Sequence, residues 1–224
     1  MTSSSSRAAD GQSRRKMRTR AALLGAARAL LAEGREGASI EEITKRAGVG
    51  FGSFFNHFPG GKEELFDEAV FEILDGYAAW IRSVTGDLDD PAEVFARSFR
   101  LTGRLVAAQP DLLAPLLARG SELLLLERGL REVAMEDLTR GVATGRFVAL
   151  PAEVHLMSVG GVLLGLVQLL TSSGSLATDE VIDAISAGVL RLLGVAAGEA
   201  GELVTRGLPE LPSALMTDGQ VSYS

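Results

Sequence analysis

The chain has no cysteine in its 224 residues, so it has no disulfide framework and no thiolate chemistry, which suits a reducing cytoplasm. Its two histidines, His57 and His155, lie far apart with no partner at metal-ligand spacing. No metal or cofactor is therefore expected, and His155 reads as a packed or interfacial residue. There is no Walker-type phosphate loop, no nucleophile elbow and no other catalytic constellation, so the chain does not read as an enzyme. Acid pairs such as Glu63/Glu64 and Asp89/Asp90 look like a solvated face and a helix cap. The start, MTSSSSRAADGQSRRKMRTR, has no apolar stretch, and no secretory signal is expected. Nor is a membrane span expected: the longest apolar run, Val154 to Leu170, is slightly short and holds His155, Ser158, three glycines and Gln168. Aromatic residues are only 5%, against 46% hydrophobic residues, the balance of a helical protein built on Leu, Ala and Val.

Charge is unevenly placed. Residues 1–58 hold ten Lys/Arg against five Asp/Glu, and residues 59–224 hold twelve against twenty-four, so +5 and −12 give the net −7. A basic end on an acidic body suits a protein that sets one end on nucleic acid.

The stretch from Ala38 to Leu65, ASIEEITKRAGVGFGSFFNHFPGGKEEL, organises the rest. Ser39 is an N-cap with Glu42 in the capping-box position, and Ile40, Ile43 and Ala47 form one apolar stripe. Gly48 ends that helix, since glycine takes the left-handed conformation at no steric cost. A second short helix is expected over about Gly50 to His57, with Phe54 and Phe58 inward. Helix, glycine turn and helix make the helix-turn-helix pattern, whose second helix enters the major groove.

The run AGVGFGSFFNHF followed by KEEL resembles the DNA-binding signature of the TetR family of bacterial transcriptional regulators, over about 45 residues at the N-terminal end. Three departures stand out: Gly50 where members usually carry Ser or Thr, Phe55 where they carry Tyr, and one extra residue in Phe58-Pro59-Gly60-Gly61-Lys62. Outward residues of the recognition helix would be Phe51, Gly52, Ser53, Phe55, Asn56 and His57. Asn pairs with adenine, Ser with several base edges, and a Phe ring packs on thymine methyl. That face carries no Lys or Arg. Phosphate contacts are therefore expected from Arg18, Arg20, Lys45, Arg46, Lys62 and the Ser39-capped helix end, with His57 beside them.

Elsewhere the pattern is helical, about ten helices with no convincing strand and no internal repeat. Residues 1–16 read as a disordered basic arm, either a solvated tail or a segment that touches DNA. Residues 17–61 read as the helix-turn-helix domain, opened by a bracing helix over Met17 to Glu33 with Leu23, Ala26, Ala27, Leu30 and Leu31 inward. Residues 62–196 read as a helical effector-binding and dimerisation domain, and 197–224 as a tail. The second domain starts with a long amphipathic helix, Lys62 to Thr85. Asp90-Pro91-Ala92-Glu93 then starts another, stopped by Pro110. Helices follow at about Asp111–Ala118, Ser121–Thr144, Ala152–Ser172 and, after Thr178, to Leu193. Small residues on the last two, Gly160, Gly161, Gly165, Ala184, Ala187 and Gly188, allow close approach of a second copy or of neighbours in the same chain.

Resemblance to the family implies an all-α fold, a symmetric dimer through that last helix pair, and a cavity for a small, largely apolar effector. Stripes that would line it include Tyr77, Trp80, Val84, Phe95, Phe99, Thr102, Met135, Met157, Leu164 and Gln168. Trp80 and Gln168 need hydrogen-bond partners if buried. The function implied is a ligand-responsive dimeric regulator, a repressor that releases a palindromic operator when effector binds, with no membrane partner. The Gly50 and Phe55 departures leave open a second class: a helical small-molecule-binding or scaffolding protein that no longer reads DNA.

Overall fold

The computed structural model describes residues 3–109, 129–172, 176 and 178–212, with side chains from residue 11 on. All regular elements among them are helices: α1 (Ser3–Ala32), α2 (Ile40–Ala47), α3 (Phe51–Phe54), α4 (Lys62–Thr85), α5 (Pro91–Ala108), α6 (Leu130–Ala143), α7 (Ala152–Ser172), α8 (Asp179–Leu192) and α9 (Ala197–Thr205). The chain forms two compact units, one running to Glu72 and the other starting at Ile73.

In the first unit α1 buries the expected stripe of Leu23, Ala26, Ala27, Leu30 and Leu31, with Leu24 besides, and packs on α2. It begins at Ser3, not Met17, so the basic arm expected to be disordered is helical. Each residue added to an existing helix gains a hydrogen bond without a new nucleation cost, so the apolar helix carries its polar extension. Gly34 (φ 65°) ends it, with Arg35 N–H donating to Leu30 C=O (2.8 Å) and Gly34 N–H to Leu31 C=O (3.0 Å).

Ser39 caps α2, its Oγ accepting the Glu42 N–H at 3.2 Å. The capping box is only half made, because the Glu42 carboxylate turns instead to Arg35. At the other end Gly48 (φ 64°) donates to Lys45 C=O (3.2 Å) and Val49 N–H to Thr44 C=O (3.0 Å). That pair of bonds closes the turn before α3. The first turns of α4 bury Leu65, Phe66, Ala69 and Val70. Arg20 and Arg28 of α1 reach Glu68 (3.5 Å) and Glu72 (2.7 Å) on it.

In the second unit Asp90 caps α5, accepting the Ala92 N–H at 3.1 Å, with Pro91 in the first turn as the sequence predicts. The stop at Pro110, the helix expected over 111–118 and the start expected at Ser121 lie outside the described residues. α5 packs on α6, α7 and α8. Gly141 on α6 lets Phe147 fold back: a Cβ there would lie 2.0 Å from the ring. Phe147 then meets Phe95 edge-on at 6.2 Å.

α7, Ala152–Ser172, extends beyond both ends of that apolar run and by length and composition alone is apolar enough to cross a membrane. It nevertheless buries His155, Leu156, Val159, Gly160, Leu166, Val167 and Leu170 within this unit. His155 is packed as expected, its Nε2 2.9 Å from Val148 C=O. The expected tail is also corrected. Residues 197–205 form α9, which packs on α8 and α5 and buries Ala200, Leu203 and Val204. Beyond it Leu208 and Leu211 pack against a core of Tyr77, Ala78, Ile81, Leu101, Leu105 and Val133. Gly198 and Gly201 lie inside α9, but apolar residues at helical spacing decide the outcome.

Candidate DNA-reading turn and effector core

The first unit's site is built on two buried rings. Phe54 and Phe58 are fully buried 5.9 Å apart, and Phe58 N–H closes on Phe54 C=O at 2.9 Å. The regular part of α3 is shorter than Gly50–His57, since only Phe51–Phe54 is α-helical and a turn completes it. Gly50 starts it without a side-chain cap, Ser53 N–H donating to Gly50 C=O at 2.9 Å. With Phe54 inward, Phe51 (56% exposed) and Phe55 (45%) stand in water as an edge-on pair 5.9 Å apart. Gly52 and Asn56 are exposed, while Ser53 and His57 are half-buried. One short turn thus presents Phe51, Gly52, Ser53, Phe55 and Asn56 together.

His57 closes the turn. Burial, followed by the charges of Lys16 and Arg20, holds its pKa below the ordinary histidine value. Its Nδ1 is buried with no hydrogen-bond partner among the described residues. The expected cations divide. Arg18 and Lys45 are exposed and Lys62 is half-buried at the start of α4. Arg20 lies 5.1 Å over the Phe58 ring besides reaching Glu68. Arg46 is held by Glu33 through two hydrogen bonds, 2.9 and 2.5 Å. Ser39 spends its hydroxyl on the α2 cap. Lys16, which the sequence places in the basic arm, is exposed one helical turn before Arg20.

The second unit's candidates do not form one group. Tyr77 is fully buried and donates its hydroxyl proton to Thr102 Oγ1 at 3.3 Å, while its ring lies 5.6 Å from that of half-buried Trp80. Burial raises the Tyr77 pKa, against the Thr102 hydrogen bond, so the phenol stays protonated. Val84 packs against the same core. Phe95 and Phe99 are buried as a stack with centroids 6.0 Å apart, and Met135 and Leu164 are half-buried.

Met157 and Gln168 are exposed, against expectation, so Gln168 has no buried polar group to satisfy. They share an exposed stripe of α7 with Val154, Gly161 and Gly165. A helix apolar on all sides does not reveal in its sequence which side is covered. Asp137 on α6, which sequence reasoning missed, has its carboxyl pushed up to about 6, chiefly by burial. Among the described residues no three His, Asp or Glu groups gather to hold a metal.

An anchored helix-turn-helix joined to an all-helical domain defines a DNA-binding regulator. Residues 23–69 match the family described as "Bacterial regulatory proteins, tetR family", and residues 90–206 match "Tetracyclin repressor-like, C-terminal domain". The chain belongs to the TetR family of bacterial transcriptional regulators. A crystal structure of RolR in complex with resorcinol is similar at TM-score 0.77 and 33% identity, over 89% of this chain and 100% of that one. RolR without ligand matches at TM-score 0.71 and 31% identity, over 86% and 100%. The HTH-type transcriptional regulator LmrA of Bacillus subtilis is 37% identical over 83 residues, 37% of this chain and 42% of LmrA. The match thus spans less than half the length of that relative.

Proposed function

We propose that the protein is a cytoplasmic, homodimeric repressor that holds a palindromic operator and releases it when a small, largely apolar aromatic effector binds the helical domain. The observation that carries the reading is the recognition turn. Phe54 and Phe58 are wholly buried while Phe51, Phe55 and Asn56 stand in water. Folding gains nothing from two exposed phenylalanines, whereas a major groove offers thymine methyl groups to the rings and adenine to the amide. Positioning falls to Arg18 and Lys45, which are exposed, and to Lys62, which is half-buried.

Similarity to RolR, whose structure holds resorcinol, supports a phenol-like effector. Tyr77, Trp80 and Thr102, which lie together, would offer it aromatic walls and a hydroxyl pair. Two-fold pairing of the chain makes the operator palindromic, with recognition helices about one DNA turn, roughly 34–36 Å, apart. A gel shift of DNA from the gene's own upstream region, with and without resorcinol as first probe, tests the reading. Retardation that resorcinol or another simple phenol reverses is expected. Failure to retard any upstream DNA at low salt would favour the scaffolding alternative.

A further inference from the structure

The N-terminal extension of α1 has a composition that folding of the first unit does not explain. Arg14, Arg15, Lys16, Arg18 and Arg20 put five cations in seven positions, and Asp10 is the one carboxylate in residues 1–32. A merely solvated helical face usually mixes both signs. Residues 11–18 are exposed, and the helix is continuous from Ser3, so these charges stand on a rod with a set direction.

The recognition turn lies beside that rod. Lys16 and Arg20, one helical turn apart and on the same side of α1, both act on His57 at the end of the turn. Arg20 sits over Phe58, the next residue. From Arg20 back to Gly11 the helix advances about 14 Å at 1.5 Å per residue. That distance spans about four phosphates of one DNA strand at 3.4 Å each.

We propose that this extension is a second DNA-contacting element, in which Lys16 and Arg15 bind backbone phosphates flanking the half-site that the recognition turn reads. The proposal rests on the DNA-binding reading above. The charge of Lys16 is felt at His57, and the remaining cations deepen the field along the flank. The extension lengthens the footprint and adds affinity without adding base preference.

The test uses the full chain and a duplex it selects from random-sequence DNA. One version is trimmed at the half-site ends, and another carries about eight further base pairs on each side, enough for the rod at 3.4 Å per pair. The wild type should bind the long duplex at least about tenfold tighter at low salt, with the gain fading as salt rises. In Arg15→Ala/Lys16→Ala the long-to-short ratio should fall towards one, and the salt slope should drop by about 0.9 for each phosphate that is no longer neutralised. Equal wild-type affinity for the two duplexes overturns the proposal whatever the variant does, as does a variant that keeps the wild-type ratio. A wild type that selects no sequence removes the DNA-binding reading itself, and the extension's role with it.

Discussion

Asp90 and Arg146 meet through two hydrogen bonds, 2.7 Å from Nε and 3.2 Å from Nη2, while the same carboxylate caps α5 through the Ala92 N–H. Arg146 also reaches Glu199 of α9, so one guanidinium ties the α6–α7 connection to the start of α5 and to the last helix. The hydrogen bond from Arg146, outweighing burial, holds the Asp90 pKa below the ordinary carboxylate value.

Arg146→Ala should lower unfolding stability by about 1 kcal/mol near pH 7, since the pair is partly solvated. The sign with pH follows from the depressed Asp90 pKa. Its contribution is complete above the unfolded value of about 3.9 and fades as pH falls through the folded one. Urea unfolding of both proteins at descending pH checks this. A gap that stays undiminished down to the lowest pH at which the wild type folds would mean that the pair is not its source.

Gly141 and Gly161 should respond in opposite ways. A Cβ at Gly141 meets the Phe147 ring, so Gly141→Ala should cost about 1–3 kcal/mol by forcing the ring off Phe95. A Cβ at Gly161 meets nothing within 4 Å, and the residue lies on the exposed apolar stripe of α7. Gly161→Glu should therefore leave the protomer folded yet break a dimer that uses this stripe, because the partner would bury the charge. Sedimentation of wild type and variant at micromolar concentration decides: a monomeric wild type, or a variant that stays dimeric, removes the stripe from the interface.

The helix-turn-helix was legible because its signals are local. Ser39, Gly48 and the pair Phe54/Phe58 act within a few residues of themselves, and each does what its spacing predicts. The extension of α1 was not legible, because its Ser, Gly and Arg residues have no apolar stripe and its helix is inherited from residues further on. The effector candidates were legible only in part. Tyr77 and Thr102 lie 25 residues apart and come together through packing, whereas Met157 and Gln168 sit on a helix whose apolar faces the sequence does not rank. Glu33 likewise holds Arg46 across 13 residues, a pairing that composition does not announce.

On DNA, Asn56 and Lys62 should divide the work. Asn56→Ala removes an exposed amide from the recognition turn and should relax sequence preference, at roughly 1–3 kcal/mol for a good base contact. Lys62→Ala should weaken binding to all sequences alike and flatten the salt dependence. Affinities for the selected duplex and for a scrambled one, at two salt concentrations, separate the two effects. An Asn56→Ala protein with unchanged affinity and preference would show that the turn reads DNA through other residues.

Asp137 should make the protein less stable as pH rises. Burial pushes its carboxyl up to about 6, helped by Glu136 and opposed by Arg140 and Arg82. The folded pKa lies above the unfolded value of about 3.9, so folding favours the neutral acid, and stability falls as pH rises from about 4 to 6. Asp137→Asn keeps the shape without the charge and should raise stability at pH 7 by about 1–2 kcal/mol, allowing for the solvent that reaches the group. At pH 4 the two proteins should match. Thermal unfolding at both values is the check, and equal midpoints at pH 7 would place the charge in water.

Gly76 offers the most direct handle on effector response. α4 is one helix whose early residues Leu65, Phe66, Ala69 and Val70 are buried and whose later residues Tyr77, Ala78 and Ile81 belong to the core beside Thr102. Gly76 stands at the start of that later part, exposed, with open space where a Cβ would be. Glycine inside a helix forfeits roughly 0.5–1 kcal/mol relative to alanine and makes bending cheaper. Gly76→Ala should therefore raise thermal stability slightly, because nothing obstructs the added methyl. Any effector acts through its different affinity for DNA-competent and DNA-released states, typically about 1–3 kcal/mol of coupling. If bending of α4 separates those states, the stiffer helix raises the cost of reaching the released one. Gly76→Ala should then hold operator as tightly as wild type without effector and lose less affinity when a phenol such as resorcinol is added. The measurement is the ratio of operator affinities with and without the phenol, in both proteins. An equal ratio removes Gly76 from the mechanism, and a phenol that leaves wild-type affinity untouched removes that effector class.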